Sequence, residues 1–338
     1  MASPPMASDS TKENKRDDGG GAHEQLRRDR DFVCSLPSAP GGSHARLYRH
    51  QDGWYASMPV MLGALATHRH FAGRGDDVLL ATFPKSGTVW LKALLFAVVR
   101  GGAEGLDDVL ATANPHELVP FLESQLYAAG RVPADEAGSE PRLLATHIPH
   151  PSLPSSATGC KVVYLCRGAK DTVVSLWHFV NRIRVSNGDP PLPVGEVVEQ
   201  FCAGTTMFGP YWEHVLGYWR AHVENPERVM FLRYEEVTAA PAEAEAVRKL
   251  AGFLGHPFVG AAAEEEAEKV VQACGIETLR GLEVNRTGET ELVHGAMDNE
   301  MFFRRGVVGD WSAWLTPELA RQIDGISERR FAGSGIRL

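Results

Sequence analysis

The segment with the clearest chemical potential is a turn, residues 85–88 (KSGT), that lies between two apolar runs. Residues 78–83 have the length and composition of a buried strand, and residues 90–99 those of a buried helix. Amide groups in the first turn of a helix lack intrahelical partners and lie at the positive end of the helix dipole. Together with a lysine, two hydroxyl groups and a glycine, these amides can bind a phosphate. The sequence therefore predicts a P-loop-like phosphate-binding strand–loop–helix.

The order of residues in this turn differs from the GxxxxGK[ST] pattern of P-loop nucleotide-binding enzymes, because Lys85 precedes the glycine. A P-loop NTPase also holds Mg²⁺ with an aspartate near the end of a neighbouring strand. The other predicted strands of this chain are followed instead by His147, Arg167 or Arg233. This pattern favours an anion that is neutralised by guanidinium groups without a metal, and it argues against a kinase.

Three further segments carry residues that could do chemistry. His147 follows the predicted strand RLLAT, and in open α/β sheets the ligand lies at the carboxyl ends of the strands. A histidine there suits a general base, because its ordinary pKa is near neutrality. Arg167 with Ser175, and the adjacent Arg304 and Arg305, could each hold a phosphate. Taken singly, each of these residues could equally be structural or an ordinary surface charge.

The predicted elements alternate between strand and helix along the chain. Further strands are predicted at residues 142–146, 161–166 and 228–232, and helices from about Asp171, over 194–201, 211–219 and 247–254, and from Thr316. This alternation predicts an α/β fold, with a single domain whose central parallel sheet is flanked by helices. Residues 281–309 have weak periodicity, so we expect a long loop there.

Composition separates a tail from this domain. Residues 1–45 are rich in Ser, Asp, Lys, Arg and Gly, and such a segment cannot bury enough apolar area to offset the entropy lost on ordering. We therefore expect a disordered N-terminal tail over residues 1–45 and a folded domain over residues 46–338.

Charge and cysteine content limit the classes of function. The net charge of -9 argues against a general affinity for nucleic acid, which requires a basic surface. The five cysteines show no CxxC spacing and are typical of reduced thiols in the cytosol. No secretory signal is visible, and the most apolar run, residues 89–99, is too short to span a membrane. We expect a soluble cytoplasmic protein.

Four segments taken together resemble the cytosolic sulfotransferase family, and its plant branch in particular. They are TFPKSGTVW (82–90), RLLATHIP (142–149), YLCRGAKDTVVSLWHF (164–179) and FFRRGVVGDW (302–311). Four matches in the same order across residues 48–338 are far more specific than any one of them. The resemblance implies that the donor is 3′-phosphoadenosine 5′-phosphosulfate (PAPS), that the acceptor is a small hydroxylated molecule, and that no metal is needed. The product would be adenosine 3′,5′-bisphosphate (PAP).

The resemblance also implies a role for each residue of the site. His147 matches the catalytic base, and Lys85 matches the cation that neutralises the leaving phosphate. The remaining matches are Ser86, Gly87 and Thr88, with Lys85, for the 5′-phosphate, Trp90 and Tyr234 for adenine, and Arg167, Ser175, Arg304, Arg305 and Gly306 for the 3′-phosphate.

The chain departs from the family pattern at three positions of the donor site. Val89 stands where a second threonine is usual, and Gly275 and Ile276 stand where a hydroxyl and an aromatic side chain are usual. If both types of contact are lost, we expect donor binding to be weaker by about 1–3 kcal/mol. Two alternatives to an active sulfotransferase stay open at this stage: a catalytically weak PAP- or PAPS-binding protein, and a metal-dependent P-loop phosphotransferase.

The acceptor is less well specified by the sequence. Aromatic residues near the matched segments could line an apolar pocket for a phenol, a flavonoid or a steroid-like alcohol; these residues are Trp54, Tyr55, Phe83, His178 and Phe179. Each of them could equally belong to the core. The sequence predicts no oligomeric state.

Overall fold

The computed structural model describes residues 19–42, 46–51, 53–133, 141–239 and 242–337. In chain order its strands are β1 (Ser38–Pro40), β2 (Arg46–His50), β3 (Gly53–Ala56), β4 (Val78–Thr82), β5 (Leu143–Thr146), β6 (Lys161–Cys166), β7 (Val229–Arg233), β8 (Glu289–Leu292) and β9 (Gly295–Asp298). Its helices are α1 (Gly19–Ser35), α2 (Ser57–His70), α3 (Thr88–Val99), α4 (Leu106–Thr112), α5 (Pro115–Leu118), α6 (Ala169–Ser186), α7 (Val194–Cys202), α8 (Tyr211–Glu224), α9 (Tyr234–Val237), α10 (Ala242–Leu254), α11 (Ala263–Ala273), α12 (Ile276–Gly281), α13 (Glu283–Thr287) and α14 (Pro317–Phe331).

A parallel sheet with the strand order β5–β4–β6–β7 lies at the centre of the fold. Alternate residues of β4 belong to two hydrophobic clusters, Leu79 and Ala81 to one and Val78 and Leu80 to the other. Because successive side chains of a strand point to opposite faces, helices cover both faces of the sheet. The predicted α/β fold is confirmed, and each of the four predicted strands is correct to within one residue.

Two helix starts position the site at the carboxyl edge of this sheet. Helix α3 begins at Thr88, the last residue of the KSGT turn and two residues before the predicted start at Trp90. Helix α6 begins at Ala169, and its N-cap is Gly168 rather than the expected Asp171. The Asp171 carboxylate instead accepts hydrogen bonds from the Gly309 amide (2.7 Å) and the Trp311 amide (3.0 Å). It therefore anchors the arginine-containing C-terminal segment to α6.

The expectation of a disordered tail over residues 1–45 is wrong for the part that the structure describes. Residues 19–35 form α1, which packs on α2. Val33 of α1 is fully buried in a cluster with Met61, and Asp29 pairs with Arg69 at 2.5 Å. These tertiary contacts supply the stabilisation that local composition lacks. We therefore propose that the domain includes α1; residues 1–18 and 43–45 lie outside the described residues.

The expected long loop over residues 281–309 is also wrong in part. It contains α13 and an antiparallel hairpin formed by β8 and β9. The buried Asn299 holds this region together, because its side chain accepts from the Thr290 hydroxyl (2.6 Å) and donates to the Val284 carbonyl (2.8 Å). The hairpin lacks clear alternation because most of its residues are exposed or half-buried. Within the described ranges, no helix is long and apolar enough to cross a membrane.

Candidate active site

The turn after β4 has a backbone that requires glycine. Lys85 and Gly87 have φ angles of 70° and 107°, both in the left-handed region. A Cβ atom on Gly87 would lie 2.8 Å from the ring of Tyr234, which leaves no room for a side chain. The hydroxyls of Thr82 and Thr88, 2.8 Å apart, link the two ends of the turn. Gly87 offers no side chain to cap α3, so the first-turn amides of this helix are available to an anion.

A cluster of cations surrounds this turn. Lys85 lies with its ammonium 4.1 Å from the ring centre of Phe179. Burial lowers the pKa of Lys85 to about 7, and three nearby guanidinium groups add to this effect. These groups belong to Arg182, Arg304 and Arg167. Positive charges crowded in this way are most stable when an anion lies among them.

Two aspartates partly neutralise the cluster and hold its arginines. Arg304 and Arg305 both pair with the buried carboxylate of Asp310, the second at 2.8 Å. Arg167 lies 3.9 Å from Asp171 and donates to the Val307 carbonyl at 2.8 Å. The arginines of α6 and of the C-terminal segment are thus fixed before any ligand binds.

Three buried donors of this cluster have no hydrogen-bond partner among the described residues. They are the Ser86 hydroxyl and the Nε atoms of Arg167 and Arg304. A buried donor without a partner is costly, and such groups are rare in folded proteins. Because Arg167 and Arg304 line the same cavity, we infer that an anion with several oxygen atoms binds there.

His147 lies at the end of β5 with its ring held in one orientation. Its Nδ1–H donates to the Thr82 carbonyl at 2.7 Å, which leaves Nε2 as the unprotonated nitrogen. The His147 carbonyl accepts from His214 Nε2 at 2.9 Å, and Tyr164 donates to the other nitrogen of His214 at 2.9 Å. Burial lowers the pKa of His147 to about 3, so the ring is neutral near neutral pH.

Glu123, which the sequence analysis did not single out, supports the same segment. It is fully buried in a π-helical turn over Leu122–Leu126. Its carboxylate accepts from the His147 amide (2.7 Å) and from the Thr146 hydroxyl (2.9 Å). Burial raises the pKa of Glu123, and these hydrogen bonds oppose that rise. Nothing in its sequence context marks it, because its partners follow it by more than twenty residues.

Aromatic residues form the neighbouring wall of the cavity. The rings of Trp90 and Tyr234 meet edge to face with centres 5.9 Å apart. The Tyr234 hydroxyl donates to the Gly306 carbonyl at 2.8 Å, which joins this wall to the C-terminal segment. A Cβ atom on Gly306 would lie 2.9 Å from Ile276, so this glycine is required by close packing.

One cavity of about 730 Å³ brings most of the predicted site residues together. It is lined by Lys85, Gly87, Thr88, Val89, Trp90, His147, Arg167, Ser175, Tyr234, Arg304 and Gly306. Ser86 is fully buried beneath the turn. Arg305 does not line the cavity, and its side chain is 61% exposed. Its binding to phosphate stays a prediction.

The residues expected to line the acceptor pocket are mostly elsewhere. Phe179 lines the cavity, whereas Trp54, Tyr55, Phe83 and His178 do not. Phe83 is fully buried in the core, and Tyr55 is only 1% exposed. The cavity is lined instead by His116, Phe121, Phe208 and residues of the β8–β9 hairpin. No sequence motif marks these residues, since distant segments bring them together.

The chain is similar to known sulfotransferases over most of its length. Residues 75–335 match a family model described as a sulfotransferase domain. Cytosolic sulfotransferase 8 of Arabidopsis thaliana is 40% identical over 91% of this chain and 92% of its own length. Cytosolic sulfotransferase 1 of the same plant is 39% identical over 90% of this chain and 93% of its own length.

Solved structures have the same architecture. An Arabidopsis thaliana sulphotransferase superposes with a TM-score of 0.71 at 33% identity, covering 94% of this chain and 97% of that one. A mouse sulfotransferase complexed with PAP superposes with a TM-score of 0.65 at 23% identity, covering 85% of this chain and 95% of that one. The family match removes the alternative of a metal-dependent phosphotransferase. Since the family model and the relatives span most of its length, this chain belongs to the sulfotransferase family of enzymes.

Proposed function

We propose that this enzyme transfers the sulfuryl group of PAPS to a hydroxyl group of a small, largely apolar acceptor. The observation that carries the proposal is the cavity itself. The proposal is supported by the residues that line this cavity: Arg167 and Arg304, whose buried Nε atoms lack partners, and His147, whose Nε2 carries no hydrogen. The mouse relative of known structure is complexed with PAP, the product that such a transfer would leave.

The donor site would work through fixed charges. The amides at the start of α3, with Lys85 and Thr88, would hold the 5′-phosphate, and Arg167, Ser175 and Arg304 would hold the 3′-phosphate. Binding energy at the remote 3′-phosphate would be used to orient the sulfuryl group. Trp90 and Tyr234, which line the same cavity, would contact the adenine.

The chemical step would be an in-line displacement at sulfur. His147 Nε2 takes the proton of the acceptor hydroxyl while that oxygen forms a bond to sulfur. The bond between sulfur and the bridging phosphate oxygen breaks, and the electron pair stays on the phosphate. Lys85 and the α3 amides stabilise the negative charge that develops there. The proton on His147 then returns to solvent.

The acceptor class follows from the other half of the cavity. Phe121, Phe179, Phe208 and Met207 give it an apolar wall next to His147. This favours a phenolic, flavonoid or steroid-like alcohol. The named cytosolic relatives support action in the cytoplasm.

Labelled sulfate transfer from PAPS to a panel of phenols, flavonols and sterols tests this function. We expect turnover in the presence of EDTA. The variant His147→Ala should bind PAP as wild type does in a thermal-shift titration, yet lose turnover by at least about 100-fold. Full activity of His147→Ala would refute its role as base.

A second candidate is a catalytically weak PAP-binding protein. It is favoured by one observation: Ile276, rather than an aromatic residue, lines the cavity beside Gly306. This candidate predicts that PAP binds but that no acceptor in the panel is sulfated. The same two assays therefore distinguish it from the enzyme and from a protein that does not bind nucleotide.

A further inference from the structure

A fully buried lysine lies behind the acceptor half of the cavity. Lys92, in α3, has an exposure of 0%, which is unusual for a lysine without a bound anion. Its ammonium lies 3.4 Å from the ring centre of Phe121 and 2.9 Å from Nδ1 of His116. The proposed chemical step uses neither Lys92 nor His116.

Two neighbours of Lys92 favour its charged form. Burial lowers the pKa of Lys92 well below its ordinary value, and the nearby Glu123 carboxylate opposes this fall. That carboxylate is itself held by the His147 amide and the Thr146 hydroxyl, and the Phe121 ring offers a cation–π contact. The Glu123 carboxylate and the Phe121 ring both favour the ammonium form, which can only donate hydrogen bonds, and we therefore infer that Lys92 is the donor to His116.

This donor determines which nitrogen of His116 carries hydrogen. Burial, reinforced by the charge of Lys92, lowers the pKa of His116 well below its ordinary value, so its ring is neutral. Because Nδ1 accepts from Lys92, the hydrogen of the neutral ring lies on Nε2. The backbone is held as well, since the His116 amide donates to the Asn114 side chain at 2.8 Å and Asn114 donates to Asn285 at 2.8 Å.

The Nε2–H group of His116 faces available space. His116 lines the cavity, and no described residue hydrogen-bonds its Nε2. Its ring lies 5.3 Å from that of Phe121, and the ring of Phe121 lies 4.6 Å from that of His147. The ring centres of His116 and His147 are thus no farther apart than the sum of these two distances. A small acceptor can contact both.

We propose that His116 recognises the acceptor, and that Lys92 is the positioning residue that holds His116 as a donor. The His116 Nε2–H group donates to an oxygen of the acceptor other than the hydroxyl that reacts at His147. The preferred acceptor therefore carries a second oxygen with a free lone pair, such as a carbonyl or a ring oxygen, on a scaffold of about two fused rings. The inference rests on the proposed function.

Two phenols of similar size test the acceptor contact: 7-hydroxycoumarin, which has a distal carbonyl, and 2-naphthol, which has none. We expect His116→Phe to lower kcat/KM for 7-hydroxycoumarin by about tenfold more than kcat/KM for 2-naphthol, the effect of one neutral hydrogen bond. His116→Gln, which keeps an N–H donor, should recover part of the loss. An equal loss for both phenols, with no recovery in His116→Gln, contradicts the proposal.

The hydrogen position is tested without turnover, by ¹⁵N NMR of histidine-labelled enzyme saturated with PAP. Signals absent from His116→Gln identify His116. We expect the Nε2–H form in wild type, a shift on adding 7-hydroxycoumarin but not 2-naphthol, and a mixture of both forms in Lys92→Met. An Nδ1–H form in wild type, or shifts that do not distinguish the phenols, overturns the proposal. Failure of the wild type to bind PAP would instead contradict the proposed function.

Discussion

Replacing His147 should change how stability depends on pH. The pKa of His147 is about 3 in the folded protein because of burial, against about 6.5 in an unfolded chain. Below pH 6.5 the unfolded chain therefore binds a proton that the folded protein does not bind. The free energy of unfolding contributed by this residue falls as the pH is lowered, by up to about 1.4 kcal/mol per pH unit.

The size of this effect follows from the two pKa values. Between pH 7.5 and pH 4.5 the folded ring stays neutral and the unfolded ring becomes charged, which costs about 2–3 kcal/mol. His147→Gln removes this cost. The variant, whatever its stability at pH 7.5, should therefore gain about 2–3 kcal/mol relative to wild type by pH 4.5.

Urea unfolding of both proteins at half-unit steps from pH 4.5 to pH 8 measures this difference. Subtracting the wild-type curve from that of the variant removes the contributions of the carboxylates and of the other histidines. Among these is the buried His214, because burial lowers its pKa to about 4. Replacement of the exposed His23 by glutamine is the matched control for the loss of one histidine. Parallel curves for wild type and His147→Gln would show that His147 is readily protonated in the folded protein, and would refute the argument for a neutral base.

Three further outcomes are expected at the donor site. Gly87→Ala should abolish PAP binding in a thermal-shift titration, because the added Cβ would lie 2.8 Å from Tyr234 and the residue has a φ of 107°. Binding like that of wild type would contradict the described turn. The affinity for PAP, measured by calorimetry, should fall as pH rises from 7 to 9, because the pKa of Lys85 is about 7 in the protein without nucleotide and the lysine loses its charge. The variant Lys85→Arg, which stays charged, should not show this pH dependence. Ile276→Phe should tighten PAP binding by up to about 1 kcal/mol if an aromatic side chain contacts adenine there, and a looser complex would mean that the cavity has no room for the ring.

The sequence alone determined the sheet and brought out the residues of the proposed donor site. The four central strands are continuous apolar runs because both faces of the sheet are covered, so each could be recognised locally. Lys85, Gly87 and Thr88 could be recognised for a similar reason, since a phosphate-binding turn is built from consecutive residues between a strand and a helix. His147 and Arg167 could be placed because each follows a strand.

The tertiary structure alone decided which side chains meet in the cavity. His116 lies in the short helix α5, Glu123 lies in a π-helical turn and Phe121 precedes that turn, and none of them belongs to a motif. They lie near His147 because Phe121 pairs with Ala145 of β5. The prediction of disorder from composition failed for α1 for the same reason, because Val33 is buried by residues of α2 that lie far along the chain. Burial and long-range charge, which set the protonation of His147 and Lys92, depend on all surrounding segments at once, so local sequence cannot report them.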